Sequence, residues 1–193
     1  MMASAYPPCD TWPGRFKYQL HERIAAMPTE VPVDEHSFLG AYARRGAFTD
    51  CYAVEIPGTV ALEDFVEAFY TTRLFRLERW LLARILRIPS TDLEATELAK
   101  GSRSSFSAWK VEQRSEREIL LDAGQTRSWL AVAPGPSGTP TTTLRFGSAV
   151  VPMRPGGRFG LAFHALLGFH RAYSRRLLGA AAARLRARLP ADA

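Results

Sequence analysis

The spacing of large apolar side chains alternates between two periods along the chain, and each period predicts one type of element. Asp50 to Ile56 is rich in β-forming residues and ends at the Pro57-Gly58 turn, which predicts a strand. From Leu62 to Ile88, apolar side chains recur every three or four residues, which predicts two helices divided near Tyr70. Pro89 ends this region because the residue before a proline disfavours the α conformation.

After these helices the pattern returns to the period of a strand. A short helix is predicted first, from Leu93 to Lys100, with Ser90 to Asp92 as its cap. Strands are then predicted at Ser105 to Gln113, Arg117 to Asp122, Thr126 to Ala133 and Thr141 to Pro152. Short turns separate them, so these strands would form an antiparallel meander. The pattern from Phe159 to Leu189 predicts one long C-terminal helix.

The ends of the chain give less regular patterns. A chain of 193 residues has the length of one domain, which we place at residues 15–189. Residues 1–14 are predicted to be a flexible N-terminal tail and residues 190–193 a C-terminal tail. A short helix is predicted from Arg15 to Met27, and Val31 to Phe48 is either an irregular entry or a short edge strand.

Composition and charge limit the classes of partner. Hydrophobic residues make up 47% of the chain and charged residues 23%, which is ordinary for a globular protein. The net charge of +6 would fit a nucleic-acid partner. The basic residues are almost all Arg and are interleaved with Glu, as on a solvated surface, so we expect no nucleic acid. No apolar run has the roughly 18 residues of a membrane span, and no secretory signal pattern is present, so a cytoplasmic location is expected.

The sequence carries no established catalytic or metal-binding motif. GxSxG, HExxH and GxxxxGK[ST] patterns are missing. Cys9 and Cys51 do not form a CxxC pair, and His164 and His170 lie on opposite sides of the terminal helix. We therefore expect neither a cofactor nor a metal.

The terminal helix supplies the best polar candidates. His170 falls on the apolar stripe of this helix with Phe163, and Tyr173 follows almost one turn later. An imidazole titrates near neutral pH, so His170 could act as an acid, a base or a hydrogen-bond donor in a cavity. The same pattern is also that of a core histidine whose nitrogens are satisfied by the protein.

The predicted sheet is apolar on much of both faces, which either a cavity or a dimer contact would explain. Trp109 and Trp129 are candidates for an aromatic wall, although large aromatic residues in strands are often ordinary core. Acidic residues in predicted elements include Asp50, Glu55, Glu78 and Glu112. Their spacing does not pair any two of them for acid–base catalysis.

The order of elements resembles that of a known superfamily. From about Thr49 to Leu189 the chain reads as strand, helix pair, short helix, meander and long helix, and it contains the phrases FTDCYAVEIP and GFHRAYSRRLL. This order resembles the START-like helix-grip superfamily, which includes polyketide cyclases and plant allergen-type carriers, and in particular small bacterial proteins of this type. The resemblance implies an α+β fold in which an antiparallel sheet wraps around the C-terminal helix and leaves a cavity. Five strands are counted here, fewer than in that fold, so either Val31 to Phe48 adds a strand or the sheet is reduced.

Three functions follow from these expectations. The first is a carrier or sensor that binds a small apolar molecule in a cavity lined by His170, Tyr173, Trp109, Trp129 and Phe163. The second is an interaction module, for instance a homodimer, without a ligand. The third is a cyclase or hydro-lyase that uses His170 and Tyr173 as acid and base. An enclosed cavity of several hundred Å³ would favour the first. The third function, an enzyme, requires a carboxylate or a Tyr hydroxyl within hydrogen-bond reach of His170.

Overall fold

A computed structural model describes residues 27–85, 87–135, 140–151 and 161–188 of the chain, with the backbone but not the side chains of 161–167. Both predicted tails and the predicted helix from Arg15 lie outside the described residues, apart from Met27. Within the described part, the strands are β1 (Thr29–Glu30), β2 (Phe48–Pro57), β3 (Ser105–Phe106), β4 (Trp109–Arg114), β5 (Glu118–Ala123), β6 (Thr126–Pro134) and β7 (Thr141–Val150). The helices are α1 (Phe38–Arg44), α2 (Leu62–Tyr70), α3 (Arg73–Ile85), α4 (Asp92–Ala99) and α5 (Leu161–Arg186).

The strands form one antiparallel sheet, which confirms the α+β class. The seven strands have the order β1-β2-β7-β6-β5-β4-β3. The strands from β3 to β7 are a meander of consecutive antiparallel neighbours, and β2 returns to pair with β7 along its whole length. In that register Asp50 lies opposite Ser148, and Ser148 lies opposite Ser128. A polar row therefore crosses three neighbouring strands.

The predicted helix boundaries agree with local capping. α2 ends at Tyr70, and α3 begins after Thr72, whose hydroxyl accepts the Phe75 N–H at 3.1 Å. Thr91 caps α4 as expected: its hydroxyl accepts the Glu94 N–H at 3.2 Å, and the Glu94 carboxylate accepts the Thr91 N–H at 2.8 Å. This reciprocal pair is a capping box, which satisfies two backbone donors at the start of a helix.

The region before β2 differs from the expectation, because Val31 to Phe48 holds helix α1 and not an edge strand. Ser37 caps this helix, and its hydroxyl accepts the Gly40 N–H at 3.0 Å. A Cβ atom at Gly40 would lie 2.6 Å from the Glu35 carbonyl oxygen, so glycine allows the helix to approach the preceding loop. Gly40 weakens the helical pattern in the sequence, although α1 requires a glycine at this position to lie close to the preceding loop.

The sheet also has more strands than the five counted from the pattern. The predicted strand from Ser105 to Gln113 is divided into β3 and β4 by Ser107, which adopts a positive φ of 51°. β1 adds a two-residue strand at the other edge, where Thr29 pairs with Ala53. The sheet is therefore not reduced.

One face of the sheet, called the inner face here, is covered by α2, α3, α4 and α5. α5 contacts β2 and β7, and α2 packs against α4 and α5. The core on this face is almost entirely aliphatic and aromatic; its fully buried members include Tyr52, Ile56, Phe65, Phe69, Tyr70, Phe106, Ile119, Leu121, Leu130, Leu144 and Leu178. Burial of each such side chain stabilises the fold by roughly 1.5–3 kcal/mol.

The opposite face, called the outer face, is covered by α1. Leu39 and Tyr42 of this helix pack against Cys51, Leu120 and Trp129 of the sheet. Burial raises the pKa of the Cys51 thiol to about 12, with Arg145 opposing the shift, so this thiol is an inert core group. Helix α1 therefore explains why the outer face of the sheet is apolar.

Gly147 allows helix α1 to pack closely against the outer face of the sheet, and its replacement should show this. A Cβ atom there would lie 2.5 Å from the Leu39 Cδ2 atom and 2.8 Å from the Asp50 carbonyl oxygen. We predict that Gly147→Ala lowers the free energy of unfolding by roughly 1–3 kcal/mol, as overpacking does. Urea denaturation measures the change.

Gly168→Ala is the matched control, because it lies on exposed helix with no atom within 4 Å of the added Cβ. This control should stabilise the protein by up to about 1 kcal/mol. Equal effects of the two replacements would contradict the tight packing at Gly147.

Candidate functional site

A cavity of about 250 Å³ lies between the inner face of the sheet and the helices α2, α3 and α5. One part of its wall is aromatic and consists of Phe69, Tyr70, Phe75, Trp109 and Phe146. The other part is polar and includes Glu78, Ser148, His170, Tyr173 and Ser174. Ligand sites combine a largely apolar surface with a few convergent polar groups in this way.

Larger depressions exist on the surface, but they are weaker candidates for a functional site. One of about 540 Å³ lies along the outer face beside β1 and is lined by residues such as Met27, Ala53 and Arg145. Another of about 320 Å³ lies at the ends of β6 and β7, near Val60 and Thr142. Both are more open than the inner cavity, and neither contains a buried pair of titratable side chains. The inner cavity is therefore the candidate site.

Asp50 lies beside this cavity, beneath Ser148 and His170, and is a buried hydrogen-bond acceptor. Its side chain is only 2% exposed. The carboxylate accepts the Ser148 hydroxyl at 2.6 Å, the Tyr52 hydroxyl at 3.3 Å and His170 Nε2 at 3.2 Å. Burial alone would raise the pKa of Asp50, but the hydrogen bonds from His170 and Ser148 outweigh it and hold this pKa below its ordinary value.

These contacts determine the tautomer of His170. The single hydroxyl proton of Ser148 goes to Asp50, so the Ser148 oxygen can only accept from His170 Nε2, 2.9 Å away. Nε2 therefore carries a proton and shares it between Ser148 and Asp50. In the described part of the chain, His170 Nδ1 has no hydrogen-bond partner.

The arrangement differs from that of a serine nucleophile. In a Ser-His-Asp triad the serine and the carboxylate contact different nitrogens of the imidazole, so that the histidine can accept the serine proton. Here Ser148 and Asp50 both contact Nε2. Ser148 thus orients the imidazole and is not activated by it.

A second dyad, formed by Glu78 of α3 and Tyr173 of α5, joins the two helices. The Tyr173 hydroxyl donates a short hydrogen bond to Glu78 Oε2. Burial raises the pKa of Glu78, although the Tyr173 hydrogen bond and the proximity of His170 act in the opposite direction. Burial and the nearby Glu78 also raise the pKa of Tyr173, so the tyrosine remains the donor.

Two further hydroxyls in the wall have no partner. Tyr70 and Ser174 are almost completely buried, and neither the Tyr70 hydroxyl nor Ser174 Oγ has a hydrogen-bond partner among the described residues. Other buried polar atoms without partners lie elsewhere, for example in Ser90 and Ser107. Tyr70 and Ser174 differ from these because both line the cavity that Glu78 also lines.

The structure brings together three of the predicted site residues. His170, Tyr173 and Trp109 all line the cavity. Trp129 does not, because it lies on the outer face in the core under α1, where its Nε1 donates to Glu118 at 2.7 Å. Phe163 belongs to the first turns of α5, where the side chains lie outside those that the structure describes.

The sequence interpretation missed the partners of these residues. It noted Asp50 and Glu78 as isolated acids, whereas they are the partners of His170 and Tyr173. One signal for Asp50 was present: it alternates onto the same face as Tyr52 and Val54, and a charged residue on a core-facing side is unusual. Ser148 gives a similar signal beside Phe146.

The described ranges contain neither a candidate metal-binding group nor a helix suited to cross a membrane. Among those residues, no group of three or more His, Cys, Asp or Glu side chains is arranged to hold a metal ion. None of the helices described combines the length and the hydropathy that a membrane span requires.

The role of Asp50 can be tested by Asp50→Asn. This change removes the negative charge that three donors share, and we expect it to lower the free energy of unfolding near pH 7 by roughly 2–3 kcal/mol. Because the folded-state pKa of Asp50 is lowered, its contribution is fully present above the ordinary pKa and is lost as the pH falls through the lowered one.

The difference from the wild type, measured by urea denaturation across a pH series, should therefore shrink in acid. A difference that stays constant at low pH would contradict an ionised Asp50 as the acceptor.

No family model matches the chain, and no curated protein or solved structure matches it significantly. The function therefore has to be inferred from the geometry and charge of the cavity.

Proposed function

We propose that the protein binds a small molecule in the inner cavity, with an apolar body against the aromatic wall and a polar group beside Glu78. The observation that carries this proposal is the convergence of unpartnered hydroxyls on one cavity. Leaving a buried polar group without a partner costs about 1–3 kcal/mol. Tyr70 and Ser174 both bear this cost, and both line the same volume as Glu78. A ligand that forms hydrogen bonds with them would remove the cost.

The size of the cavity limits the ligand. Its volume of about 250 Å³ is slightly below the usual range of about 300–1,000 Å³ for ligand pockets. The ligand is therefore smaller than a typical drug-sized molecule. The placement of α5 against one face of an antiparallel sheet supports a helix-grip arrangement of the START-like kind, in which such a cavity lies between sheet and helix.

Acid–base catalysis is a second candidate, favoured by the geometry of His170. Asp50 and Ser148 hold Nε2, which leaves Nδ1 as the nitrogen without a protein partner in the described residues. A histidine that is oriented by a buried carboxylate is suited to move a proton. The catalytic partner would not be Tyr173, because its hydroxyl is engaged with Glu78.

An interaction surface without a ligand is supported less well. Leu77, Trp80, Leu81 and Ile85 are exposed on α3, as is Phe169 on α5. Exposed apolar residues of this kind fit a contact with a second copy of the chain. They do not account for the unpartnered polar groups of the cavity.

Native mass spectrometry of gently purified protein tests the binding proposal. We expect a small molecule that co-purifies with the chain and is lost on denaturation. Ser174→Phe should exclude it, because the ring would occupy the cavity. Ala172→Phe is the matched control, since Ala172 is exposed on the same helix. If Ser174→Phe folds, as circular dichroism would show, and still retains the molecule, binding is elsewhere; a dimer mass would favour the interaction surface.

A milder replacement separates stability from binding. Ser174→Ala removes an unpartnered hydroxyl and improves helix propensity, so we predict that the ligand-free protein gains about 1 kcal/mol of unfolding free energy. The same variant should bind the co-purifying molecule several-fold more weakly, because it loses one hydrogen bond.

Ser90→Ala is the control for this replacement, since Ser90 Oγ is also buried and unpartnered but does not line the cavity. This control should be stabilised without any change in affinity. Denaturation and titration calorimetry measure the two quantities, and a Ser174→Ala variant with unchanged affinity would show that Ser174 does not contact the ligand.

A further inference from the structure

We infer that the molecule bound in the inner cavity is an organic cation: a protonated amine attached to an apolar or aromatic body. This inference rests on the proposed function and concerns the charge of the ligand. It follows from which polar groups of the wall are already satisfied, which are not, and where the positive charges of the surrounding chain lie.

The free polar groups of the wall can all accept a hydrogen bond. Both oxygens of Asp50 are engaged by Ser148, Tyr52 and His170. Glu78 is different, because Tyr173 donates to Oε2 and no described residue forms a hydrogen bond with Oε1. Together with the Tyr70 and Ser174 hydroxyl oxygens, Glu78 Oε1 gives three acceptors in one wall. A primary ammonium group has three N–H donors that these oxygens can accept, and the ionised carboxylate, which has no donor of its own, makes a donor ligand the better match.

The positive charges near the cavity are already paired or point away. Arg127 contributes to the lining, but its guanidinium lies on the outer face, 5.2 Å from the centre of the Tyr42 ring. It also pairs there with Glu112 at 2.6 Å. His170 also lines the cavity, and its Nε2 is held by Asp50 at 3.2 Å.

Arg79 donates to the Tyr70 carbonyl oxygen at 3.4 Å and is paired with Asp92 at 2.8 Å. The described lining therefore contains Glu78 and no unpaired cation. An anionic ligand would meet the Glu78 carboxylate without a balancing charge.

The aromatic wall suits a cation as well as an apolar body. The Tyr70 and Phe75 ring centres are 4.7 Å apart, and those of Phe75 and Trp109 are 5.3 Å apart. Phe69 and Phe146 form another pair at 4.7 Å. Aromatic faces attract cations through the ring quadrupole, and tryptophan does so most strongly. A positive charge near this wall is stabilised by rings and carboxylate together.

The ionisation of Glu78 is consistent with an absent countercharge. Burial raises the pKa of this carboxyl group in the ligand-free chain. A bound cation would favour the ionised form, as an opposite charge within a few Å does. The positive charge of the ligand would thus supply the countercharge that Glu78 lacks.

The test uses three probes of closely similar shape that differ in charge. These are 2-phenylethylamine, 2-phenylethanol and phenylacetate, which are a cation, a neutral molecule and an anion near neutral pH. An alkylamine has about the pKa of a lysine side chain, near 10.4, so the first probe is protonated. Titration calorimetry with the full-length chain should show the amine binding roughly tenfold or more tighter than the alcohol, and phenylacetate binding most weakly.

Glu78→Gln identifies the carboxylate responsible. This variant keeps an oxygen that can accept the Tyr173 hydroxyl but removes the charge. We expect its affinity for the amine to fall to the level of the alcohol, while its affinity for the alcohol stays the same. Glu55→Gln is the matched control, because Glu55 is exposed on β2 and lies outside the cavity. It should leave all three affinities unchanged.

The outcomes separate the inference from the proposed function. Equal binding of amine and alcohol by the wild-type chain, or tightest binding of phenylacetate, overturns the cation inference and leaves a ligand-binding cavity. An amine preference that persists in a folded Glu78→Gln variant also overturns it. Failure of all three probes to bind at millimolar concentration also overturns the cation inference, whereas the proposed function is tested separately by native mass spectrometry. The comparison of probes on the wild-type chain needs no variant to fold.

Discussion

The buried carboxylate of Asp50 is the interaction on which the geometry of the site depends. An ionised carboxylate without water is costly unless donors replace the water around it. The donors here come from three elements: Tyr52 from β2 itself, Ser148 from β7 and His170 from α5. The β2–β7 register and the position of α5 are therefore tied to one charged group. Rotation of the His170 imidazole away from the site would remove one of the three donors to that charge.

The cavity wall contains two kinds of polar group, and the contrast between them is informative. The Asp50 carboxylate is satisfied by the protein, so it can define geometry without a ligand. Glu78, Tyr70 and Ser174 are only partly satisfied or not satisfied at all. A fold optimised for stability alone would replace such groups with apolar ones of similar shape, since that exchange is nearly neutral or favourable. Their presence beside a cavity favours a binding role.

Local patterns in the sequence predicted the elements well, because period and capping are local properties. The helix division after Tyr70, the capping box at Thr91 and the meander all follow from neighbouring residues. The site could not be predicted in the same way. Asp50 and Ser148 are 98 residues apart, and only the β2–β7 register places them together. Trp129 was predicted to line the cavity, but it lies under helix α1 on the outer face. Helix α1 was not predicted, because Gly40 weakens its helical pattern in the sequence.

The small volume of the cavity makes charge more important than shape for selectivity. In an apolar pocket, one methylene group changes affinity by only about 1–3 kcal/mol, so a pocket of this size separates similar apolar molecules poorly. A site with buried hydrogen-bonding groups discriminates much more strongly, because an analogue that lacks the matching donor leaves those groups unpaired. Glu78 adds a charge to this effect, and an apolar analogue would leave that partly buried carboxyl group without a counterion. For the ligand proposed here, specificity would therefore depend on the few polar atoms of the wall, and the aromatic side chains would contribute affinity that many small molecules share.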